Sequence, residues 1–420
     1  NGCSTTQNVQ VYEPIYVATT GDNTTGDGSF ANPYKTIQHG INTASEGQKI
    51  YVLPGTYEEQ VLITKPVYLA SNYLRLGDSS AHQTTVIKPG STSKIEDINN
   101  SNLYSYGGVN IVDVSQGEVT INGFTIKDFE VSYESWDKSG ALSVNNNNAR
   151  IRLHNLIISG TKQKQNASCC PSAHVLTTFY SGNVEVKNLI IKNSGSFTQD
   201  VNKLVHIRQS NITFEELVLK DNYVGGDGFF EIDNGSNISL VNSLIDTEVN
   251  SNFGSGYTFK LTQSDFISIN STFISSDNAN YDELIYLSGS GQNVLFHNSV
   301  VEGKGFLGGT GTNNSVTMLG SVLPVNSDFS LSGLGITLDT SSVIFADPQL
   351  NSNRTLKSNS PAIGIGLGQP YTYNNQIVTP PSYDLVGQMR PDPVGSNRDA
   401  GAYESDKAQG DLDIILTQCA

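Results

Sequence analysis

Charge is scarce in this chain of 420 residues: Asp, Glu, Lys and Arg make up only 15% of it, against about 25% in soluble globular proteins. A surface so poor in ions must be built from hydroxyls and amides, which suits extracellular β-rich proteins better than cytosolic enzymes. Basic residues are scarcer still, 24 Lys and Arg against 40 Asp and Glu, for a net charge of −16. The Lys/Arg footprint needed to release counterions from a duplex is therefore missing, and a nucleic-acid partner is excluded. No apolar run approaches the roughly 18 to 20 residues that span a bilayer, so no transmembrane segment is expected. Trp occurs once and Met twice.

Cysteine is nearly absent. Cys3, Cys169, Cys170 and Cys419 allow three pairings, and their spacing fits no zinc or redox motif. Cys169 and Cys170 are adjacent, so they form either a vicinal disulfide or two bonds to different partners. Cys3 and Cys419 stand where a bond would tie down ends that otherwise fray. All four are disulfide candidates in an oxidising compartment. The opening Asn1-Gly2-Cys3-Ser4 lacks Met and reads as a processed start, with a Gly-Cys-Ser sequence like the end of a lipoprotein signal.

What the chain has in abundance is a repeat. An apolar-x-apolar-x-small-x-x-apolar pattern recurs as VTINGFTI (119–126), IRLHNLII (151–158), VEVKNLII (184–191), ITFEELVL (212–219), ISLVNSLI (238–245), ISINSTFI (267–274), VLFHNSVV (294–301) and VTMLGSVL (316–323). Its fifth position holds Gly123, Asn155, Asn188, Glu216, Asn242, Ser271, Asn298 and Gly320. Alternation of period two with β-branched residues makes each unit a strand turning a corner into a second strand. Another short strand precedes each unit, as in HVLTTF, LVHIRQ and FFEID. This is the make-up of one coil of a parallel β-solenoid, in which equivalent residues stack about 4.8 Å apart. The Asn-rich column then forms an amide ladder.

Ahead of the repeats, ANPYKTIQHGINTASEG carries helix punctuation: Asn32 as N-cap, Pro33 at the first helical position, Ile37, Ile41 and Ala44 on one face, and Gly47 at the end. A helix near 33–46 would cover the open edge of the first coil. The stretch 49–71 reads as two strands around Pro54-Gly55, then a strand ended by Lys65-Pro66. GDNTTGDG (21–28) resembles a calcium loop but lacks EF-hand spacing, and reads as a turn.

The segment 16–69 resembles the start of secreted right-handed parallel β-helix proteins of the pectin-lyase-like superfamily. Residues 345–366 and 383–405 resemble the choice-of-anchor module that follows such helices in bacterial surface proteins. The resemblance implies an all-β fold: a segment with a capping helix (1–48), a right-handed parallel β-helix (49–325), and a C-terminal accessory module with its tail (326–420). It implies a secreted, extracellular or cell-surface location. For reaction it is uninformative, since such helices carry lyases, hydrolases and adhesins.

Aligning the strands that precede the repeats by Val114, Ile207, Ile232, Leu261 and Leu287 leaves two outward columns. One runs Asp113, Thr178, His206, Glu231, Lys260, Tyr286, and the other Ser115, Tyr180, Arg208, Asp233, Thr262, Ser288. In so uncharged a chain, His206, Arg208, Glu231, Asp233 and Lys260 on three consecutive coils are the best candidate site. Glu231 and Asp233 could hold calcium against a uronate. A Lys or Arg beside them could remove a proton, or the two carboxylates could work as acid and base. Tyr180, Tyr286 and Asp113 are candidate substrate contacts. Against this stands a solvated face whose charges pair across strands for a few tenths of a kcal/mol. Two classes stay open. One is a structural, adhesive or glycan-binding surface protein that could assemble through its ends. The other is a lyase or glycoside hydrolase acting on an acidic polysaccharide. No lyase motif can be placed residue by residue.

Overall fold

The computed structural model describes residues 12–71, 81–90, 107–132, 140–145, 148–164, 174–195, 203–224, 228–247, 257–275, 283–303, 305–325, 335–336 and 342–408. The four cysteines, Trp136 and both tails lie outside the described residues.

All pairing along the coils is parallel and in register, one coil to the next. Ile121 pairs with Leu153, Leu153 with Val186, Val186 with Phe214, Phe214 with Leu240, Leu240 with Ser268, Ser268 with Phe296 and Phe296 with Met318. Among the described residues these strands form one continuous sheet of 19 strands that turns corners, and a second sheet of nine. The nine run from Val61–Ile63 to Leu307–Gly309. This is a parallel β-helix, right-handed as crossovers between parallel strands are. Pairing continues to Val343–Phe345, which lies on Ser321–Leu323.

Inward side chains merge into one apolar column. At its C-terminal half this is a file of rings, Phe259, Phe266, Phe273, Phe296 and Phe306, with successive centroids 5.0 to 6.4 Å apart. Truncating one to Ala would cost about 3–5 kcal/mol.

Two corners are made by residues in the left-handed conformation. The first column is Gly123, Asn155, Asn188, Glu216, Asn242, Asn270, Asn298 and Gly320, with φ between 47° and 86°. Asn and Gly adopt this conformation at the least steric cost, which explains the column's composition. The register corrects one expectation: Asn270, not Ser271, belongs to this column. Ser271 sits one place later in a buried serine ladder, where Ser243 N donates to Ser271 Oγ at 3.1 Å and Ser299 N to Ser321 Oγ at 3.0 Å. In this coil Phe266 and Ser268 point inward, and Ser268 meets Ser299 Oγ at 2.8 Å. Ile267 and Ile269 point outward instead, under a hairpin formed by Tyr371–Tyr373 and Gln376–Val378.

The asparagine column works in two halves. Asn188 Nδ2 donates to Asn155 Oδ1 at 2.8 Å, and Asn155 Nδ2 to Asn122 Oδ1 at 2.9 Å. Beyond Glu216 the amides turn to the C-terminal segment: Asn242 Nδ2 donates to the Tyr383 carbonyl at 2.6 Å and Asn270 Nδ2 to that of Asp399 at 3.3 Å. Leu350, Ala362 and Ala400 complete the contact by packing on Leu244, Ile274, Val300 and Val322.

The N-terminal helix is Ile37–Thr43, about two turns shorter than its punctuation suggests. Thr36 is the N-cap, its Oγ1 accepting from His39 N at 3.3 Å, and Glu59 receives the next free donors, Ile37 N at 2.8 Å and Gln38 N at 2.9 Å. Asn32 instead closes a turn by accepting from Asp27 N and Gly28 N through its carbonyl. Tyr34 bridges to Val17, so the chain after Pro33 is held extended. Ile37 and Ile41 do face the core, beside Ala44. In 21–28 the aspartates cap turns: Asp22 Oδ1 accepts from Thr24 N and Thr25 N at 2.7 and 2.8 Å.

Candidate functional site

The nine-stranded sheet brings the five charged candidates together. His206 pairs in register with Glu231, Glu231 with Lys260 and Lys260 with Tyr286, while Arg208 pairs with Asp233. Upstream, the alignment on Val114 is displaced. The column of His206 continues through Thr177, Ser143 and Asn110, not Thr178 and Asp113. The column of Arg208 continues through Phe179, Asn145 and Val112, not Tyr180 and Ser115. Thr178 points inward and is buried.

Asp113 and Tyr180 belong to the second corner. With Gln209, Asn234 and Gln263 they form a left-handed column, φ 44° to 55°, that ends the strands of this sheet. Tyr180 N donates to the Arg208 carbonyl and Gln209 N to that of Asp233. Behind this corner runs a serine ladder, with Ser181 N donating to Ser210 Oγ at 3.1 Å and Ser210 N to Ser236 Oγ at 3.3 Å. Tyr180 is thus an exposed corner residue, off the charged columns. Tyr286 stays on the face and stacks on Tyr257, ring centroids 4.2 Å apart.

Two residues that period-two reasoning missed complete the cluster. Lys203, just before its strand, bonds Glu231 Oε2 through Nζ. His174, at the start of His174–Phe179, is buried beneath His206. Glu231 Oε1 also lies 3.7 Å from Lys260 Nζ. Asp233 Oδ1 lies 3.8 Å from Arg208 Nε. With its amide oxygen turned to Arg208, Asn234 accepts from Nε and Nη2 at 2.7 and 2.9 Å. Burial alone would push the Glu231 carboxyl up, but Lys203, His206 and Lys260 outweigh it and hold it below the usual carboxylate range.

Hydrogen bonding fixes the imidazole tautomers. His174 Nδ1 lies 3.1 Å from the Lys203 carbonyl, which can only accept, so Nδ1 carries the proton. Its Nε2, 3.3 Å from His206 Nδ1, must then accept, and His206 Nδ1 donates. Burial holds His174 well below the usual imidazole range and keeps it neutral. One ring position of His206 remains, Nε2, at 3.5 Å from Asp233 Oδ2 and 3.7 Å from Glu231 Oε2.

Among the described residues, three cations, Lys203, Arg208 and Lys260, therefore meet two carboxylates, Glu231 and Asp233, on a chain of net −16. This does not suit a calcium cage. Both carboxylates are committed to cations, and among the described residues no group of three or more His, Cys, Asp or Glu converges as a metal site.

Residues 19–253, more than half of the chain, match a family described as a protein of unknown function, DUF1565. The chain belongs to this family. No curated protein matches this DUF1565 member. Among solved structures it is similar to pectate lyase Pel9A, at 14% identity over 94% of this chain and 97% of that one, with a TM-score of 0.43. It is also similar to XylC in complex with xylose, at 10% identity over 94% and 99% of the two chains with a TM-score of 0.36. The GH136 lacto-N-biosidase of Eubacterium ramulus matches at 10% identity over 79% and 68%, with a TM-score of 0.35.

Proposed function

We propose that the nine-stranded face of this β-helix binds an acidic polysaccharide at an extracellular or bacterial cell surface. The observation that supports this is the convergence of three cations, Lys203, Arg208 and Lys260, on Glu231 and Asp233 in a strongly acidic chain. A uronate carboxylate would share these donors with Glu231 and Asp233, and charge-assisted bonds of this kind are about twice as strong as neutral ones. The stacked Tyr257 and Tyr286 beside Lys260 add a rigid apolar rim against which a sugar ring packs. Export agrees with a surface of hydroxyls and amides in place of ions.

The test is calorimetric titration of the protein with polygalacturonate and alginate oligomers. Lys260→Ala and Arg208→Ala should each weaken binding at least tenfold with thermal unfolding almost unchanged. Failure to bind any acidic glycan would sink the reading.

A second reading, a lyase, is favoured by the His174–His206 pair behind the carboxylates, with His206 Nε2 3.5 Å from Asp233 Oδ2 and 3.7 Å from Glu231 Oε2. It requires ultraviolet-absorbing unsaturated uronate ends to accumulate with the parent protein and not with His206→Gln.

A further inference from the structure

On the continuous sheet, away from the charged face, two cavities of about 570 and 310 Å³ share Asn183, Asn211 and Thr213 and so form one groove. It crosses the outer surface of the strands Asn183–Lys192, Asn211–Lys220 and Asn237–Val241. Its far wall is the hairpin that carries Tyr373 and Gln376. That wall is anchored, because Tyr373 and Val378 are buried against Ile269 and Leu295.

Three features limit what can lie there. The ionic groups at one end are already paired, Arg150 with Glu185 at 2.7 Å and Lys187 with Glu215 at 2.8 Å, so a charged ligand would have to break these contacts. A peptide added as a strand needs unpaired backbone N–H and C=O groups. Here the strands already pair coil to coil across the groove floor. What remains is a row of exposed amides, Asn183, Asn211 and Asn237, repeated at the strand spacing of about 4.8 Å. Asn237 Nδ2 donates to Asn211 Oδ1 at 2.7 Å, which sets the row in one orientation.

We propose that this groove binds a neutral polysaccharide strand running along the solenoid axis, independently of the acidic-glycan face. A polymer of pyranose rings offers hydroxyls at a repeat close to the coil spacing. One register then lets each amide both donate to and accept from its sugar. Uncharged hydroxyls also match a lining whose ion pairs are closed at one end and whose carboxylate at the hairpin end, Asp265, already accepts from Asn293 N at 2.8 Å and Nδ2 at 3.1 Å.

The test titrates the full chain with neutral hexasaccharides, β-1,4-glucan, xylan and mannan, by calorimetry. Thr213→Arg fills the groove from an exposed, outward position, and Asn183→Leu removes one amide from the row. At least one hexasaccharide should bind, and both variants should weaken it tenfold or more. Lys260→Ala should leave that binding unchanged, and Thr213→Arg should leave acidic-oligomer binding unchanged, so failure of one site does not imply failure of the other. Absence of binding by every neutral hexasaccharide, or undiminished binding by both variants, would overturn the proposal.

Discussion

Asn298 and Leu367, 69 residues apart in the chain, exchange two hydrogen bonds: Leu367 N donates to Asn298 Oδ1 at 2.7 Å, and Asn298 Nδ2 donates to the Leu367 carbonyl at 2.9 Å. A side-chain amide here does the work of a strand partner and joins the C-terminal segment to the coils. Asn298→Leu should leave the half-buried Leu367 N–H and C=O without this partner, at up to about 1–3 kcal/mol each. Leu is also poorly suited to the φ of 52°. Limited proteolysis should then cut within 346–408 while the coils stay resistant. Equal resistance in parent and variant would refute this role.

The neighbouring residue His297 should make the protein acid-sensitive. Its ring is fully buried, neither nitrogen has a hydrogen-bond partner, and Tyr371 of the hairpin lies beside it. Burial pushes its pKa from 6.5 down to about 4. The folded value lies below the unfolded one, so the neutral ring's stability is complete above pH 6.5 and is lost as pH falls towards 4. The loss reaches about 3 kcal/mol. Melting temperatures measured from pH 7 to pH 4 should fall less steeply for His297→Phe than for the parent. Parallel curves would count against His297.

Within the C-terminal segment, Arg390 Nη1 and Glu404 Oε2 meet at 2.7 Å with both side chains fully buried. Arg390 Nη2 also donates to the Gly401 carbonyl at 2.8 Å. Removing one member of a buried pair strands the other, so Arg390→Ala should cost about 3–5 kcal/mol. The transition affected should be that of residues 346–408, which chemical denaturation followed by tyrosine fluorescence would resolve. A change under about 1 kcal/mol, the range of exposed pairs, would show that the ion pair contributes little.

The coil architecture was legible because burial imposes a period of two and stacking imposes identity at equivalent positions. Register was harder wherever a second surface covered the outside. At 265–274 the apolar Ile267 and Ile269 imitate inward residues, yet they face the hairpin 371–378 while Ser268 goes inside. The dipeptides Asn242-Ser243, Asn270-Ser271 and Asn298-Ser299 carried the correct register, since a left-handed corner followed by a buried hydroxyl is a stricter signature than apolarity. The charged candidates converged because they sit on coils where apolar alternation is unbroken. Lys203 and His174 escaped notice because they lie at strand starts, where a side chain's direction does not follow from alternation. Asp113 and Tyr180 failed as face residues for a related reason, their left-handed backbone turning them onto the corner.

The relay from the Lys203 carbonyl through His174 to His206 makes a prediction independent of any ligand. Because the carbonyl fixes the proton of His174 on Nδ1, His206 must carry a proton on its own Nδ1. Nitrogen NMR of imidazole-labelled protein should therefore find His174 as the neutral Nδ1–H tautomer across the neutral range, in keeping with the burial that lowers its pKa. His206 should show a protonated Nδ1, with Nε2 facing Asp233 and Glu231. His174→Phe removes the acceptor and frees His206 to place its proton on Nε2, towards the carboxylates, where an N–H is electrostatically favoured. The variant also leaves the Lys203 carbonyl without this partner, so a loss of about 1–3 kcal/mol is expected. That loss alone would be shared by any buried histidine, whereas the tautomer change would not. An unprotonated His206 Nδ1 in the parent, or an unchanged His206 tautomer in His174→Phe, would show that the two rings are neighbours in packing only.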